Sequence, residues 1–241
     1  MKQLLIALLL APLAALAAEE GYPLDHSPND LRDIVSLQSG ARTYVNYCLG
    51  CHGMQFMRYS SLRALELNDA QIQDNLMFTA GKIGEPMKNG FDPKAAKAWF
   101  GVAPPDLSVV ARSRGADWLY TYLRTFYRDP KSATGWNNAV FPNVSMPHAL
   151  WTLQGQRRLE VVQGEEGEHS GMRYKWTEIS EGRQNPAEYD ATVRDLVNFL
   201  VYAGEPAAVE RKPIGIAVLF VLGVLFIFAY LLKKEYWKDV K

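Results

Sequence analysis

Two cysteines are the whole thiol complement of this 241-residue chain, and they stand as Cys48-Leu49-Gly50-Cys51-His52. The C-x-x-C-H pattern attaches c-type haem. Its spacing has a physical reason. Two thiols three residues apart reach the two vinyl groups on one edge of a porphyrin as thioethers, and the next histidine offers an imidazole nitrogen to the iron. Gly50 removes bulk where the backbone turns close to the macrocycle. The same side chains serve two other chemistries, each needing something more. A thioredoxin-like dithiol calls for a βαβ setting, which does not precede Cys48. A structural zinc site needs a fourth ligand, and no further cysteine exists. A haem site is therefore expected at Cys48, Cys51 and His52.

The two ends of the chain say where that site works. Met1-Lys2-Gln3 followed by an apolar Leu4–Ala18 stretch, with small residues at Ala15-Leu16-Ala17, has the form of a secretory signal peptide over residues 1–18. Its apolar core is short for a membrane span, which weighs against an uncleaved anchor. Ile214–Leu232 is a run of nineteen residues without charge or proline. As a helix it would cover about 28 Å, a bilayer's hydrocarbon core. Lys233, Lys234, Lys238 and Lys241 follow it, together with Tyr236 and Trp237. The lysines favour a cytoplasmic tail and the aromatic pair suits the interface. The expected division is a signal over 1–18, an extracytoplasmic domain over 19–206, a transmembrane helix over 213–233 and a tail over 234–241. With 26 basic and 26 acidic residues, the balance gives no reason to expect a nucleic-acid partner.

Between the ends the pattern is mostly helical. Ile34, Leu37, Ala41, Tyr44, Val45 and Cys48 recur at three- and four-residue steps, which predicts an amphipathic helix over about 31–48 delivering Cys48. A second helix is expected over Asn68–Met77. Residues 80–99, punctuated by glycine and proline, read as mostly loop. Asp106 reads as the cap of a short helix through Ala111. A further helix spans Ala116–Phe126, and Ser132–His148 is expected to be irregular. Met172–Ile179 reads as part of a hairpin. Asn185, Pro186 and Glu188 form a capping box with proline at the first helical position, opening a helix that ends at Gly204. Pro206 and Pro213 are expected to separate it from the span.

A second axial ligand would come from methionine or histidine. Met54 and Met57 follow His52 too closely, Met77 sits in a helical pattern that favours core packing, and Met87 stands in a glycine-rich loop. Met146 lies in Phe141-Pro142-Asn143-Val144-Ser145-Met146-Pro147, an irregular segment stiffened by proline. It is the favoured ligand, with His148 as the runner-up. His/Met ligation closes both axial positions and leaves no place for substrate or oxygen, which predicts an electron carrier. An open sixth position, as in a peroxidase-like or gas-sensing haem protein, and a membrane-tethered thiol oxidoreductase are the competing readings.

Several blocks together resemble the cytochrome c1 family, the haem subunits of cytochrome b–c1 complexes (ubiquinol–cytochrome c reductases), in their bacterial form. They are Tyr44–Met54 around the haem motif, Ala103-Pro104-Pro105-Asp106-Leu107-Ser108, Phe141–Pro147, and Asp195–Leu200 followed by a C-terminal span. The chain departs from many relatives at His148, where a second proline or small residue is usual. The resemblance implies a mostly α fold, a cytochrome c-like haem domain with long loop insertions plus one C-terminal transmembrane helix. It implies one haem c with His52 and Met146 as axial ligands, and an arginine after the Pro-Pro-Asp-Leu-Ser block paired with a haem propionate. Arg112 and Arg114 are available, and position favours Arg114. The implied partners are a cytochrome b subunit, a Rieske iron–sulfur protein that delivers the electron, a c-type cytochrome that accepts it, and a bacterial inner membrane with the haem domain in the periplasm. Glu160, Glu165, Glu166 and Glu168 form an acidic cluster that would steer a basic partner, or simply a solvated loop.

Overall fold

The computed structural model describes residues 21–163 and 172–239. The expected signal peptide, Glu165, Glu166 and Glu168 of the acidic cluster, and the last two residues of the tail lie outside the described residues.

Two helices set the frame. Helix α1, Ile34–Tyr47, starts where Asp33 accepts from the Ser36 amide, and it buries Leu37, Ala41, Tyr44 and Val45. This is the stripe read from the sequence. Its partner is Pro186–Gly204, a later helix with the expected capping box: Asn185 accepts from the Glu188 amide and Glu188 accepts from the Asn185 amide. That helix buries Val193, Leu196, Val197 and Leu200. Polar bonds fix the crossing: Ser36 Oγ donates to Asp195 at 2.8 Å, and Asn198 donates to the Asp30 carbonyl at 2.8 Å. The Tyr44 and Phe199 rings meet at 5.8 Å between centroids. Burying these two apolar faces against each other is the main cohesive contact of the domain.

Smaller elements wrap this pair. Strand β1, Met54–Arg58, pairs antiparallel with β2, Pro86–Met87, and a 3-10 helix, Tyr59–Leu65, follows β1. Helix α2 is Asp69–Asn75, capped by Asn68. Helix α3 is Pro93–Phe100, in a stretch expected to be mostly loop. Asp92 accepts from the amides of Lys94 and Ala95, and Pro93 takes the first helical position, so a cap and starter outweigh the glycines upstream. Helices α4, Val110–Arg114, and α5, Ala116–Arg124, meet at Gly115. Chain direction then changes to β3, Phe126–Arg128, paired with β4, Trp136–Asn138, which corrects the expectation that Phe126 is helical and that 132–148 is wholly irregular. A short helix α6, Trp151–Gln154, leads to a ribbon of β5, Gly155–Gln163, and β6, Met172–Glu181. The expected hairpin is there, and it is longer than Met172–Ile179. Helix α7 is Pro186–Gly204.

The N-terminal arm is extended and held along α5, where Thr121 Oγ1 accepts from the Asp25 amide and Asp117 accepts from the Ser27 amide, each at 2.8 Å. Helix α8, Ala208–Tyr236, is 29 residues long with a mean hydropathy of 2.8 over its most apolar window, and none of that window is buried in the protein. Its length is about 43 Å, enough for the hydrocarbon core and both interfaces. Pro213 lies inside this helix and does not precede it. At the sixth helical position it removes a single i→i−4 bond, to the Val209 carbonyl, so the helix starts five residues before the proline that was expected to bound it.

Candidate haem site

Helix α1 ends at Cys48, whose amide still donates to the Tyr44 carbonyl at 2.9 Å. The chain then coils tightly. Leu49 also donates to Tyr44, and Cys51 and His52 both donate to the Cys48 carbonyl, at 3.0 and 2.8 Å. Tyr44 Oη donates to the His52 carbonyl at 2.8 Å, and Asn89 donates to the Cys51 carbonyl. The motif is thus clamped from its own helix and from the loop after β2.

The Pro-Pro-Asp-Leu-Ser block is a strap across the next residues. His52 Nδ1 lies 2.8 Å from the Pro105 carbonyl. A carbonyl only accepts, so Nδ1 carries the proton and Nε2 keeps its lone pair. Asp106 accepts from the Gln55 amide at 2.8 Å, Ser108 Oγ accepts from the Phe56 amide at 3.1 Å, and the Leu107 amide donates to the Gly53 carbonyl at 2.8 Å. From the sequence Asp106 reads as a helix cap. Its carboxylate instead holds β1 and the local Ser108 amide, and α4 begins later, at Val110, without a side-chain cap.

Tyr47, Cys48, Cys51 and His52, together with Ser145, Met146, Pro147 and Ala149, line one cleft, an almost wholly apolar one. Cys48, Cys51, His52 and Met146 all border it, and Phe100, Val102, Pro104 and Pro105 complete its walls. Cys48 is buried and Cys51 half-buried, both free thiols. Burial, with Cys51 beside it, pushes the Cys48 thiol up to about 12. Burial likewise lowers the His52 imidazole, against the opposing effects of the Pro105 carbonyl and Asp106. Both groups are neutral at pH 7. Neutral imidazole is the form that binds iron.

Met146 is half-buried, and Tyr122 Oη donates to its sulfur at 3.3 Å. Tyr122 comes from α5, where its ring stacks on Trp118 at 4.7 Å. His148 does not border the cleft. It is buried, stacked on Phe126 at 4.9 Å and edge-on to Trp136 at 5.2 Å. Met54 and Met87 are fully buried and paired across β1 and β2, and Met57 is also in the core. Met77 packs against the core at the end of α2.

Neither arginine borders the cleft. Arg112 lies 3.6 Å from Glu205, which also binds Arg211 of α8 at 2.7 Å. The Arg114 guanidinium sits over the rings of Trp118 at 5.1 Å and Phe141 at 5.7 Å. Glu160 approaches Lys175 across the ribbon at 3.9 Å. A larger polar cleft, between the ribbon and the start of α7, contains Arg124, Gln154, Arg157 and Tyr189 but no cysteine, histidine or methionine.

The donor set fits a haem c and fits zinc poorly. Two cysteine sulfurs, a histidine with its free nitrogen available and a thioether border an apolar slot. Among the described residues no group of three or more His, Cys, Asp or Glu side chains is placed to hold a metal ion. Sequence reasoning missed Tyr122, Asn137 and Asn138, the residues that hold the Met146 loop. Asn138 is fully buried and donates to the Tyr122 carbonyl at 2.7 Å.

Comparison with known proteins gives the family. Residues 26–240 match the Cytochrome C1 family. Cytochrome c1 of Allochromatium vinosum is 48% identical over 245 residues, covering 100% of each chain. A protein of Nitrosomonas europaea named ammonia monooxygenase gamma subunit is 46% identical over 239 residues, 99% of this chain and 98% of that one. Cytochrome c1 of Rhodospirillum rubrum is 29% identical over 87% of this chain and 83% of its own. A haem motif at the end of α1, a strap that orients its histidine, a thioether in the same cleft and full-length similarity converge: the chain belongs to the cytochrome c1 family.

Proposed function

We propose that this chain, the membrane-anchored haem subunit of a cytochrome b–c1 complex, carries one haem c that Cys48 and Cys51 would hold through thioethers and whose iron His52 and Met146 would hold. The observation that carries the reading is that all four side chains border one apolar cleft. Bound there, haem c supplies a one-electron ferric–ferrous couple. The chain's own residues do the rest. The Pro105 carbonyl holds the His52 ring in one tautomer and orientation, as second-shell partners of metal-bound histidines do. Tyr122 holds the Met146 sulfur. With His52 and Met146 both holding the iron, no position would be left on it for substrate or oxygen, and the apolar walls of the cleft would limit water there. Arg114 is the arginine for a propionate: its face is occupied by Trp118 and Phe141, which leaves the N–H edge for a carboxylate, whereas Arg112 already lies near Glu205.

The chain takes one electron from a Rieske iron–sulfur protein and gives it to a c-type cytochrome, beside a cytochrome b subunit. Helix α8 makes it a single-pass membrane protein, and the lysines at 233, 234 and 238 support a cytoplasmic tail with the haem domain in the periplasm of a bacterial inner membrane. Met146 in the cleft weighs against an open sixth position. The monooxygenase name belongs to the Nitrosomonas relative.

The test is purification of the full chain in mild detergent. Cytochrome b and Rieske subunits should co-purify, and the reduced protein should resist carbon monoxide. Rapid, complete carbon monoxide binding, or a mature chain without covalent haem by mass spectrometry, would overturn the reading.

A further inference from the structure

We infer that Asn138 is the residue that seats Met146 in the cleft, and so decides whether the sixth position is closed. This rests on Met146 being a ligand, as proposed above.

Asn138 ends β4 with no exposed surface. Its Nδ2 donates to the Tyr122 carbonyl at 2.7 Å, and its Oδ1 accepts from the amides of Val140 at 2.9 Å and Phe141 at 3.1 Å. One planar amide therefore ties helix α5 to the first turn of the loop that carries Met146. Tyr122 receives both ends of this arrangement: its carbonyl accepts from Asn138, and its hydroxyl donates to the Met146 sulfur. The neighbouring Asn137 extends the hold, since its Oδ1 accepts from the amides of Asn138 and Asn143, at 2.9 and 2.8 Å. Asn143 has φ of 62°, a left-handed conformation that asparagine tolerates, and there the loop turns toward Met146. From the other side, Phe141 packs edge-on against Trp118 at 6.2 Å.

The chemistry explains the residue type. A donor and an acceptor are needed in one group of fixed shape, buried where water cannot substitute. Aspartate keeps the acceptor and loses the donor. Alanine loses both: it strands the Val140 and Phe141 amides and leaves the Tyr122 carbonyl with only the longer bonds from Thr125, at 3.3 and 3.4 Å. Loss of such bonds shifts an equilibrium between seated and released loop by about tenfold per bond. Cys48, Cys51 and His52 belong to a different part of the chain, so haem attachment should be untouched.

The test uses the full-length holoprotein in detergent, as wild type, Asn138→Ala and Asn138→Asp. Readouts are covalent haem content, the far-red ferric absorption that a thioether ligand gives, carbon monoxide binding by the reduced protein, and the midpoint potential. The alanine variant should keep its haem, lose the far-red absorption, gain about tenfold or more in carbon monoxide-reactive fraction, and fall in potential. The aspartate variant should change in the same direction by less. If both variants stay as inert as wild type while melting at lower temperature, Asn138 only stabilises the fold and the inference is overturned. If the alanine variant yields no holoprotein, the aspartate variant decides: an opened site supports the inference, a closed one overturns it. A wild-type protein that already binds carbon monoxide and lacks the far-red absorption refutes the Met146 assignment itself, and this inference with it.

Discussion

Gly40 of α1 and Asp195 of α7 touch backbone to backbone: a Cβ placed on Gly40 would stand 2.0 Å from the Asp195 carbonyl oxygen and 2.7 Å from Phe199 Cβ. In an unobstructed helix, glycine to alanine stabilises by about 1 kcal/mol. Here the sign should reverse. Gly40→Ala would push α1 and α7 apart at their crossing, costing at least the roughly 1–3 kcal/mol of an overpacked core. Because α1 delivers Cys48, haem incorporation should fall as well. Thermal melting and haem-to-protein absorbance check this; a variant that melts at or above the wild-type temperature would show that the helices are not locked by this contact.

The aromatic hydroxyl at Met146 sets up a second expectation. A bond from Tyr122 Oη draws electron density from the sulfur, which favours the ferrous state, and burial keeps that hydroxyl protonated by raising its pKa. Tyr122→Phe should therefore lower the midpoint potential. The ceiling is about 60 mV, the full loss in one redox state of a bond worth about 0.5–1.5 kcal/mol. The far-red absorption should persist, since the thioether remains. Redox titration of the full chain reads the shift, and a potential equal to or above wild type counts against this role.

Features whose cause lies within one turn of chain were legible in the sequence. The Asn185–Glu188 box forms both of its bonds, and the stripe from Leu37 to Cys48 is buried. Chemistry singled out the haem motif and Met146, because few residue types can hold a haem iron, and the fold brings both to one cleft. What was lost depended on distant partners. Asp106 has the same local appearance whether it caps a helix or accepts from Gln55, and only the fold brings Gln55 to it. Asn137 and Asn138 sit in a glycine- and asparagine-rich stretch that reads as turn, yet their amides bridge β4 to α5 and the Met146 loop. Helix α3 did carry a local signal, Asp92-Pro93, outweighed by Gly81, Gly84 and Gly90. Pro213 reads as a boundary in sequence, yet near a helix start a proline removes little, and the helix runs through it.

The base of the ribbon provides a control that separates folding from ligation. Gly155 has φ of +86°, and a Cβ there would lie 2.3 Å from the Ser180 carbonyl oxygen. Gly155→Ala should cost about 2 kcal/mol or more, from the disfavoured backbone and the clash together. The ribbon does not border the haem cleft. Carbon monoxide resistance and midpoint potential should therefore match wild type while the melting temperature drops. A change in ligation would mean that the ribbon supports the Met146 loop.

Acid should weaken the turn between β3 and β4. Asp129 accepts from Asn137 Nδ2 at 2.8 Å and from the Lys131 amide at 2.9 Å, and these bonds, with the Lys131 charge, hold its carboxyl below the usual range. Asp129→Asn keeps the shape but offers one acceptor oxygen to two donors, so its NH2 group must face either the Lys131 amide or the Asn137 amide, and the latter cannot turn over because its Oδ1 already accepts from Asn138 and Asn143. A carboxyl depressed in the folded state contributes stability that is fully present above the unfolded value of about 3.9, and that is lost as pH falls through the folded one. Wild type should then exceed the variant by about 0.5–1 kcal/mol at pH 7, a modest sum because the group is partly solvated. The gap should close below the folded value, where a protonated Asp129 no longer accepts with a full charge. Denaturant melts at pH 7 and at successively lower pH read both numbers. A gap that persists unchanged in acid would mean that the ionised carboxylate contributes nothing to the turn.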